Sequence, residues 1–292
     1  MIRFLNDETV AGYRHGKGSV ATFDTATEAA LIQQGDAVAY DTNAAHPYYH
    51  FHGFSGTQSA DDDKFYDLTG LNHASRGANL STSQLWTTNA GYASTIDPIG
   101  GATDSVLRIP NLNYDYAGGE KLIIWWLGKV TAEGSGARMM GDGYGTTAGQ
   151  WGIRFNLESS GKIQFVISDA AEIYSSMPST SISARLASFA IILDGQSRKH
   201  GMWIDEAFAM PGGSYTVLGS GAAIDTRNSN TFNVGTSYAA AAASTVGIAT
   251  ATRALAILRL PASYAMPSVG TLTNVFQQLR VNPGKLILAS AF

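Results

Sequence analysis

Three histidines near the start of the chain have a spacing that suits metal binding. His46, His50 and His52 lie in an aromatic segment, and His50 and His52 are two residues apart. Residues two apart on a β-strand point to the same side, so both imidazoles could bind one metal ion. The alternative is that these histidines belong to a solvated aromatic linker, which is the interpretation we favour.

Carboxylates are the second group that could do chemistry. Asp61, Asp62 and Asp63 offer the oxygen ligands that calcium prefers, but their spacing is not that of an EF-hand, and a solvated acidic turn is the simpler interpretation. A glycosidase needs two carboxylates that flank one sugar bond. Asp205 and Glu206 are adjacent and would face opposite sides of a strand. No nucleophile-elbow motif occurs, so we predict that the protein is not an enzyme.

Aromatic side chains on loops form the usual platform for binding sugars. Four aromatic residues lie in stretches rich in Gly, Ser, Thr and Asn, and we predict them as glycan-binding residues: Trp86, Tyr92, Tyr144 and Tyr238. The other tryptophans lie in strand-like stretches and are predicted to be core residues: Trp125, Trp126, Trp151 and Trp203.

Composition excludes several classes of function. Only 14% of the residues are charged, the net charge is −4, and no basic cluster is present, so nucleic-acid binding is not expected. The absence of cysteine excludes disulfides and thiolate metal sites. We expect no membrane insertion and synthesis in the cytoplasm, because no apolar run approaches the length of a membrane helix and the first residues lack a signal core.

The elements that must position these residues begin with a small α+β module, residues 1–42. A helix is predicted to start after Asp24, capped either by Asp24 itself or by Thr25 together with Glu28, and to end at Gly35. Leu31 and Ile32 are predicted to lie on its apolar face, after a short strand that ends at Phe23. About forty residues form a poor core alone, so the module is expected to dock on another surface.

Residues 43–64 are predicted to be a linker or entry segment, and residues 65–292 an antiparallel β-sandwich. Residues 121–127 form a run that is continuously apolar after Lys121, as in a strand that is covered on both faces. Residues 151–157 and 163–167 alternate between apolar and polar side chains, which predicts a hairpin with one buried and one wet face. Residues 189–210 predict strand, turn, strand, tight turn and strand, and residues 267–279 have helical spacing.

The order of several pieces resembles the concanavalin A-like (laminin-G-type) jelly roll. These pieces are the entry segment Tyr66–His73, the hairpin from Leu193-Asp-Gly to Met202–Asp205, the strand end Asn233–Gly235, and the closing strand Leu255–Leu260 with the helix Pro267–Leu279. The resemblance implies a mainly β fold, a sandwich of two antiparallel sheets, to which the N-terminal α+β module is added.

The module resembles a short domain of tailed-bacteriophage head-fibre and capsid-decoration proteins. The resemblance is carried by Ile2–Leu5, Lys17–Phe23 and Ala29–Ala37 in this order. It implies that residues 1–42 attach the protein to the virion, with Phe23, Leu31, Ile32 and Gly35 as the residues that define the module.

These resemblances imply a bacteriophage virion structural protein, a head decoration or head fibre on the capsid exterior. The expected partners are further copies in a homotrimer, the major capsid protein or another virion protein, and host-surface glycans. No cofactor is expected, except that His50 and His52 could bind a metal ion on a trimer axis, as phage fibres do, or that calcium could bind. The alternative is a tail-fibre or baseplate receptor-binding protein with a carbohydrate-binding jelly roll. A free bacterial carbohydrate-binding module is disfavoured by the missing export signal.

Overall fold

The computed structural model describes the residues in these ranges: 2–4, 8–10, 12–15, 20–21, 23–39, 48–52, 64–65, 74–78, 93–94, 106–110, 112, 114–130, 137–143, 152–168, 173–176, 178, 180–219, 231–235, 250–281 and 292. Strands dominate this part of the chain. No helix within these ranges is long and apolar enough to cross a membrane.

The first part of the chain forms small sheets with one helix. Its elements are β1 (Ile2–Phe4), β2 (Glu8–Val10), β3 (Tyr13–His15), β4 (Val20–Ala21), α1 (Thr25–Gln34) and β5 (Ala37–Ala39). Strand β1 lies between β4 and β5 and is antiparallel to both, while β2 and β3 form a separate hairpin. A small core of its own holds these elements together: Ile2, Phe4, Leu31 and Ala37, with Val10, Ala21 and Phe23 packed against it.

Helix α1 begins and ends where the sequence predicts. Asp24 is the N-cap, because its carboxylate accepts hydrogen bonds from the Thr27 amide at 3.0 Å and the Thr27 hydroxyl at 2.6 Å. Glu28 accepts from the Phe23 amide at 3.0 Å. Gly35 ends the helix with φ at 82°, a left-handed conformation that glycine adopts without a side-chain clash.

The predicted apolar face of α1 is only partly correct. Leu31 is buried, but Ile32 is 40% exposed. Consecutive residues of a helix point about 100° apart, and on this helix the small core covers Leu31 while the side chain of Ile32 reaches its edge.

The rest of the described chain forms two large antiparallel sheets and a C-terminal helix. Its elements are β6 (Tyr48–His52), β7 (Lys64–Phe65), β8 (Ala74–Arg76), β9 (Ala93–Ser94), β10 (Leu107–Ile109), β11 (Lys121–Val130), β12 (Ala137–Gly141), β13 (Gly152–Leu157), β14 (Ile163–Ser168), β15 (Ile173–Ser176), β16 (Ala187–Asp194), β17 (Lys199–Ile204), β18 (Ala207–Phe208), a 3-10 turn (Pro211–Gly213), β19 (Thr216–Val217), β20 (Phe232–Val234), β21 (Thr250–Leu260) and α2 (Val269–Val281).

The front sheet has the strand order β15-β14-β13-β12-β20-β10-β8-β7. The back sheet has the order β18-β17-β16-β11-β21-β6, with β19 paired to β17 and β9 paired to β21. Neighbouring strands are antiparallel throughout these pairings, and a register shift between Leu127 and Gly128 marks a bulge in the long β11–β21 pair. Gly128 is required there, because a Cβ at this position would overlap the Ala251 carbonyl and the Trp126 ring.

The inner faces of the two sheets pack on each other to form the main core. Front-sheet residues such as Phe155 and Phe165 meet back-sheet residues such as Trp126 and Phe189. The Phe155 and Phe189 rings lie 4.9 Å apart across the interface. Alternate residues of β13 and β14 point into this core, which confirms the predicted hairpin.

Helix α2 covers the other face of the back sheet. Its residues Leu272, Val275, Phe276 and Leu279 pack against strand residues that include Trp125 and Trp203. The back sheet is therefore buried on both faces, which explains the continuous apolar run of β11. The chain is mainly β, an antiparallel β-sandwich of the jelly-roll type with a small N-terminal α+β module, as the sequence predicted.

Part of residues 43–64, the segment predicted to be a linker or entry segment, forms a strand of the sandwich. Strand β6 lies inside this segment and pairs with β21 over five residues, from His52 opposite Ala254 to Tyr48 opposite Leu258. This part of the segment therefore belongs to the sandwich, because the backbone hydrogen bonds of β21 are completed by it. The wider division into residues 1–42, 43–64 and 65–292 remains a prediction.

Candidate functional site

The predicted glycan-binding aromatics lie outside the described residues: Trp86, Tyr92, Tyr144 and Tyr238. Trp151, predicted as a core residue, also lies outside them. The other three predicted core tryptophans, Trp125, Trp126 and Trp203, are at most 1% exposed, which confirms their assignment.

The candidate metal residues are described only in part. The backbone of His50 and His52 belongs to β6, opposite Ala256 and Ala254 of β21, so both stand on one strand with the predicted two-residue spacing. Their side chains, His46 and Asp61–Asp63 lie outside the described part of the structure. Among the residues that are described, no group of three His, Cys, Asp or Glu side chains is close enough to hold a metal ion.

Asp205 and Glu206 form the tight turn between β17 and β18. Both have positive φ, 48° and 63°, the backbone of a two-residue hairpin turn. The Asp205 carboxylate accepts from the Ser188 amide at 3.1 Å and pairs with Arg185 at 2.5 Å. Glu206 accepts a hydrogen bond from the Ser188 hydroxyl. These carboxylates fasten the turn to Ser188 of β16 and to Arg185, which confirms the tight turn predicted within residues 189–210.

A buried carboxylate occurs inside the sandwich. Asp142 is 3% exposed, and its Oδ1 accepts from the Ile153 amide at 2.9 Å. The Tyr116 hydroxyl donates to the same carboxylate at 3.3 Å. Burial, with the Asp142 charge beside it, raises the pKa of Tyr116 well above its usual value. Each group is a hydrogen-bond partner of the other, so we interpret the pair as structural.

The outer face of the front sheet carries a band of polar side chains. Directly paired residues of antiparallel strands share a face. The register therefore places five residues of β14, β13, β12, β20 and β10 in one row across this face: Val166, Arg154, Gly141, Asn233 and Arg108. A second row contains Gln164, Asn156 and Arg138.

This outer face is polar but not freely solvated. Asn156 is 5% exposed, Asn233 is 1% exposed and Ser168 is 1% exposed. The sequence predicted a wet face for β13, and this prediction is correct only in part, because Arg154 is half-buried and Asn156 is buried. The Asn156 amide donates to Gln164 Oε1 at 2.9 Å, but Asn156 Oδ1 is buried without a hydrogen-bond partner.

Among the charged groups on this face, Arg154 has the most buried nitrogens without a hydrogen-bond partner. Its Nε and Nη1 are buried and have no hydrogen-bond partner. Desolvation, together with the smaller effect of the positive charge of Arg138, lowers the pKa of Arg154 to about 10. The described strands of the front sheet contain no Asp or Glu, so no strand neighbour offers a counter-charge on this face.

We define these residues, Arg108, Arg138, Arg154, Asn156, Gln164 and Asn233, as the front-face band. The alternation in residues 151–157 and 163–167 placed Arg154, Asn156 and Gln164 on the polar face, but sequence reasoning did not recognise them as a site. The signal that was missed is an arginine at an outward position in each of β10, β12 and β13.

A cleft of about 650 Å³ opens elsewhere, beside the β17–β18 turn. Its lining combines apolar side chains with one charged group: Lys162, Pro178, Thr180, Ile204, Ala207, Phe208, Ala209, Met210 and Pro211. It offers apolar contact area but few polar groups that could orient a ligand.

Comparison with known proteins supports the fold. No family model matches the chain, and no curated protein matches it. The binding domain of botulinum neurotoxin serotype D is 11% identical, with a TM-score of 0.52 over 79% of this chain and 51% of that domain. The binding domain of botulinum neurotoxin DC, solved with rat synaptotagmin II, is 12% identical, with a TM-score of 0.52 over 80% of this chain and 52% of that chain.

A sialidase of Trypanosoma rangeli, solved with sialic acid, is 14% identical, with a TM-score of 0.49 over 79% of this chain and 33% of that chain. The chain thus spans a third to a half of the length of these proteins. At such identities the likeness to the two toxin binding domains shows the β-sandwich fold alone.

Proposed function

We propose that this chain is a non-enzymatic structural protein of a bacteriophage virion, a head decoration or head fibre on the outside of the capsid. Residues 1–42 attach it to the major capsid protein or to another virion protein, and the sandwich faces outward. The protein acts as a homotrimer.

The observation that carries this proposal is the make-up of the N-terminal part. Residues 2–39 have their own sheets and their own core, which consists of only four buried residues, Ile2, Phe4, Leu31 and Ala37. So small a core stabilises a module poorly by itself, which suits a module that completes its packing on another protein. Ile32, 40% exposed on helix α1, is one side chain that could take part in such a contact.

Two observations support a binding role rather than catalysis. Asp205 and Glu206 are engaged in a turn, and the Asp142 carboxylate is engaged by Tyr116 and the Ile153 amide. The fold is also shared with binding domains.

Mass spectrometry of purified particles tests the proposal. We expect the protein in particles that have been separated from the lysate on a density gradient, in many copies for each particle. Its recovery only from the soluble lysate, and never from particles, would refute a virion role. Light scattering of the purified protein tests the trimer, and a chelator tests whether a metal at His50 and His52 supports it.

The alternative is a tail-fibre or baseplate protein that binds host glycans through its sandwich. The shared fold with toxin binding domains favours a receptor-binding role. Immunogold labelling separates the two proposals, because a head protein labels capsids and a tail protein labels tail tips. A glycan array tests sugar binding, and loss of binding in Tyr144→Ala would assign it to the predicted loop aromatics.

A further inference from the structure

We infer that residues 211–219 form a strap along the edge of the back sheet that opens when the pH falls, and that His200 is the residue that responds. The strap contains the 3-10 turn and β19, and β19 is the part that pairs with the sheet. The inference concerns the sandwich and does not depend on the proposed virion role.

The strap is held to the sheet by a few separate contacts. Strand β19 pairs with β17 over only two residues. The Leu218 amide donates to the Arg198 carbonyl at 3.1 Å, and the Leu218 side chain is buried at the margin of the main core. The Tyr215 hydroxyl donates to the Pro267 carbonyl at 2.6 Å. Loss of these contacts releases the strap and leaves the other strand pairs of the back sheet intact.

Most of the strap faces solvent. Within it only Leu218 is buried, and Tyr215 is half-buried. Gly213 and Gly219 have positive φ, 67° and 77°, so residues with a wide backbone freedom lie at both ends of the paired part. A short pairing with few buried apolar side chains is typical of a segment that opens locally at a low free energy.

His200 lies where the strap meets the core. This residue of β17 is fully buried, and its ring centre is 5.7 Å from that of Phe165 in the front sheet. Thr216 of the strap is directly opposite His200, and the Thr216 backbone lies beside the imidazole. Opening of the strap therefore exposes the edge of β17 at this residue and admits water to a ring that the closed strap keeps out of solvent.

The elements around His200 offer little compensation for a positive charge. On β16 the residue opposite is Leu193, and the contact from β14 is Phe165, so both neighbours are apolar. The strap itself contains no charged residue. Arg198 and Lys199 directly precede His200 in the chain, and their positive charges would repel a protonated imidazole.

The acidic residue nearest to this position in the paired strands is Asp194, opposite Lys199. Its carboxylate accepts hydrogen bonds from its own turn, from the Ser197 hydroxyl at 2.9 Å and from the Gln196 amide at 3.0 Å. It is thus directed to the turn between β16 and β17.

Proton binding links the pH to the position of the strap. Burial lowers the pKa of His200 below the ordinary 6.5 and outweighs the opposite effect of the Arg198 and Thr216 backbone. In the open form the hydrated ring regains an ordinary pKa, so the open form binds a proton that the closed form does not. The ratio of open to closed strap therefore rises as the pH drops below about 6.5, by about tenfold for each pH unit between the two pKa values, and stops rising below the lower one.

Hydrogen exchange of the full chain, resolved by residue with NMR between about pH 7.5 and pH 5 and corrected for the intrinsic pH dependence of exchange, tests the inference. The Leu218 amide reports on the strap. The Ala209 amide, which donates to the Met202 carbonyl at 2.8 Å farther along β17, is the internal control. We expect the protection of Leu218 to fall at least about threefold more than that of Ala209. An equal loss at both amides would mean that the whole sandwich opens, and a constant protection of Leu218 would mean that the strap ignores pH; either result would overturn the inference.

Variants of His200 separate the residue that responds from the strap that moves. His200→Leu is expected to abolish the pH dependence of Leu218 protection. His200→Gln, which is polar but does not titrate, provides the same test with a second side chain. His15→Leu is the matched control, because it removes another histidine whose pKa burial lowers, and it should leave the strap unchanged. A pH dependence that persists in both His200 variants would overturn the role of this residue.

A variant of the strap itself should have the complementary effect. Tyr215→Phe removes the hydrogen bond to the Pro267 carbonyl but leaves His200 in place. Exchange at Leu218 is expected to become faster at every pH, with the same dependence on pH as in the parent protein. A loss of the pH dependence in Tyr215→Phe would show that Tyr215, and not His200, couples the strap to acid.

Discussion

The indole Nε1 of Trp203 donates a hydrogen bond to the Thr273 hydroxyl at 2.9 Å. Trp203 belongs to β17 and Thr273 to α2, so this bond joins the back sheet to the helix that covers it. The indole is fully buried, with Phe276 packed edge-on at 5.0 Å between ring centres. The rest of this contact is apolar and therefore non-directional, so the hydrogen bond fixes the position of the helix on the sheet.

Loss of this acceptor should destabilise the sandwich. Thr273→Val keeps the shape of the side chain but leaves the buried indole N–H without a partner, which costs about 1–3 kcal/mol. Thr273→Ser keeps the hydroxyl and removes only a methyl group. Urea unfolding is expected to rank the serine variant above the valine variant. The opposite order would mean that the hydrogen bond contributes little.

Acid should destabilise the sandwich through His200. This residue of β17 is fully buried, and desolvation lowers its pKa below the ordinary 6.5 and outweighs the opposite effect of the nearby Arg198 and Thr216 backbone. The unfolded chain then binds a proton that the folded chain does not, so stability falls as the pH drops below about 6.5 and stops falling below the folded pKa.

His200→Leu should flatten this dependence, measured by urea unfolding between about pH 7.5 and pH 5. His15 is the matched case in the N-terminal module, since burial also lowers its pKa and its ring stacks on Phe4 at 4.7 Å. His15→Leu should leave the His200 contribution in place. An unchanged slope in the His200 variant would show that other groups control acid sensitivity.

Two glycines should respond in opposite ways to alanine. A Cβ at Gly201 would lie 2.6 Å from Tyr215 Cδ1 and 2.9 Å from Phe208 Cε2. Tyr215 cannot move freely, because its hydroxyl donates to the Pro267 carbonyl at 2.6 Å. Gly201→Ala is therefore expected to lower the free energy of unfolding by about 1–3 kcal/mol.

Gly270 in helix α2 has only Ser268 Oγ near a new Cβ, at 3.8 Å. Gly270→Ala should raise the free energy of unfolding by about 0.5–1 kcal/mol, because alanine loses less backbone entropy in a helix. Denaturant unfolding of both variants provides the test. A neutral Gly201→Ala would mean that Tyr215 is not held over β17.

The left-handed backbone of Ala184 offers a stabilising substitution. Ala184 is exposed and has φ at 59°, a conformation that costs a non-glycine residue about 1–2 kcal/mol. Ala184→Gly should raise the melting temperature. Ala262→Gly is the control, since Ala262 is an exposed turn residue without positive φ and glycine there should lower the melting temperature. Equal shifts in both variants would contradict the prediction.

Attachment to the particle should depend on Ile32. Its side chain is 40% exposed on α1, so Ile32→Asp should leave the fold intact and remove the apolar contact that we propose with the capsid. Val217→Asp is the control, because Val217 is 49% exposed on β19 of the sandwich. The measurement is the amount of this protein per particle in particles assembled with each variant. Normal incorporation of the Ile32 variant would exclude this residue from the attachment surface.

Local patterns predicted much of this fold. The alternation of residues 151–157 and 163–167 predicted the β13–β14 hairpin, since each strand buries one face against the back sheet. The cap of α1 was limited to Asp24 or to Thr25 with Glu28, and the Thr27 hydrogen bonds assign it to Asp24. These features depend on neighbours within a few residues.

Features that depend on distant partners were not predictable in the same way. Residues 48–52 carry no clear alternation, and their strand forms because β21 offers backbone groups for pairing. The polar face of β13 was predicted from its spacing, but the enclosure of Asn156 depends on packing that no local pattern reports. Recognising the front-face band also required the strand register, because the pairing of distant strands brings Arg154 and Arg108 into one row.

The position of β21 between β11 and β6 has a consequence for synthesis on the ribosome. Strand β11, Lys121–Val130, is the most continuously apolar strand of the described chain, and β16 emerges early enough to pair with one of its edges. Its other edge pairs with Thr250–Leu260, which is synthesised about 120 residues after β11. A nascent chain thus exposes a half-paired apolar strand while these residues are being made. Efficient production should therefore depend on chaperones that bind the nascent chain, or on slow synthesis at low temperature.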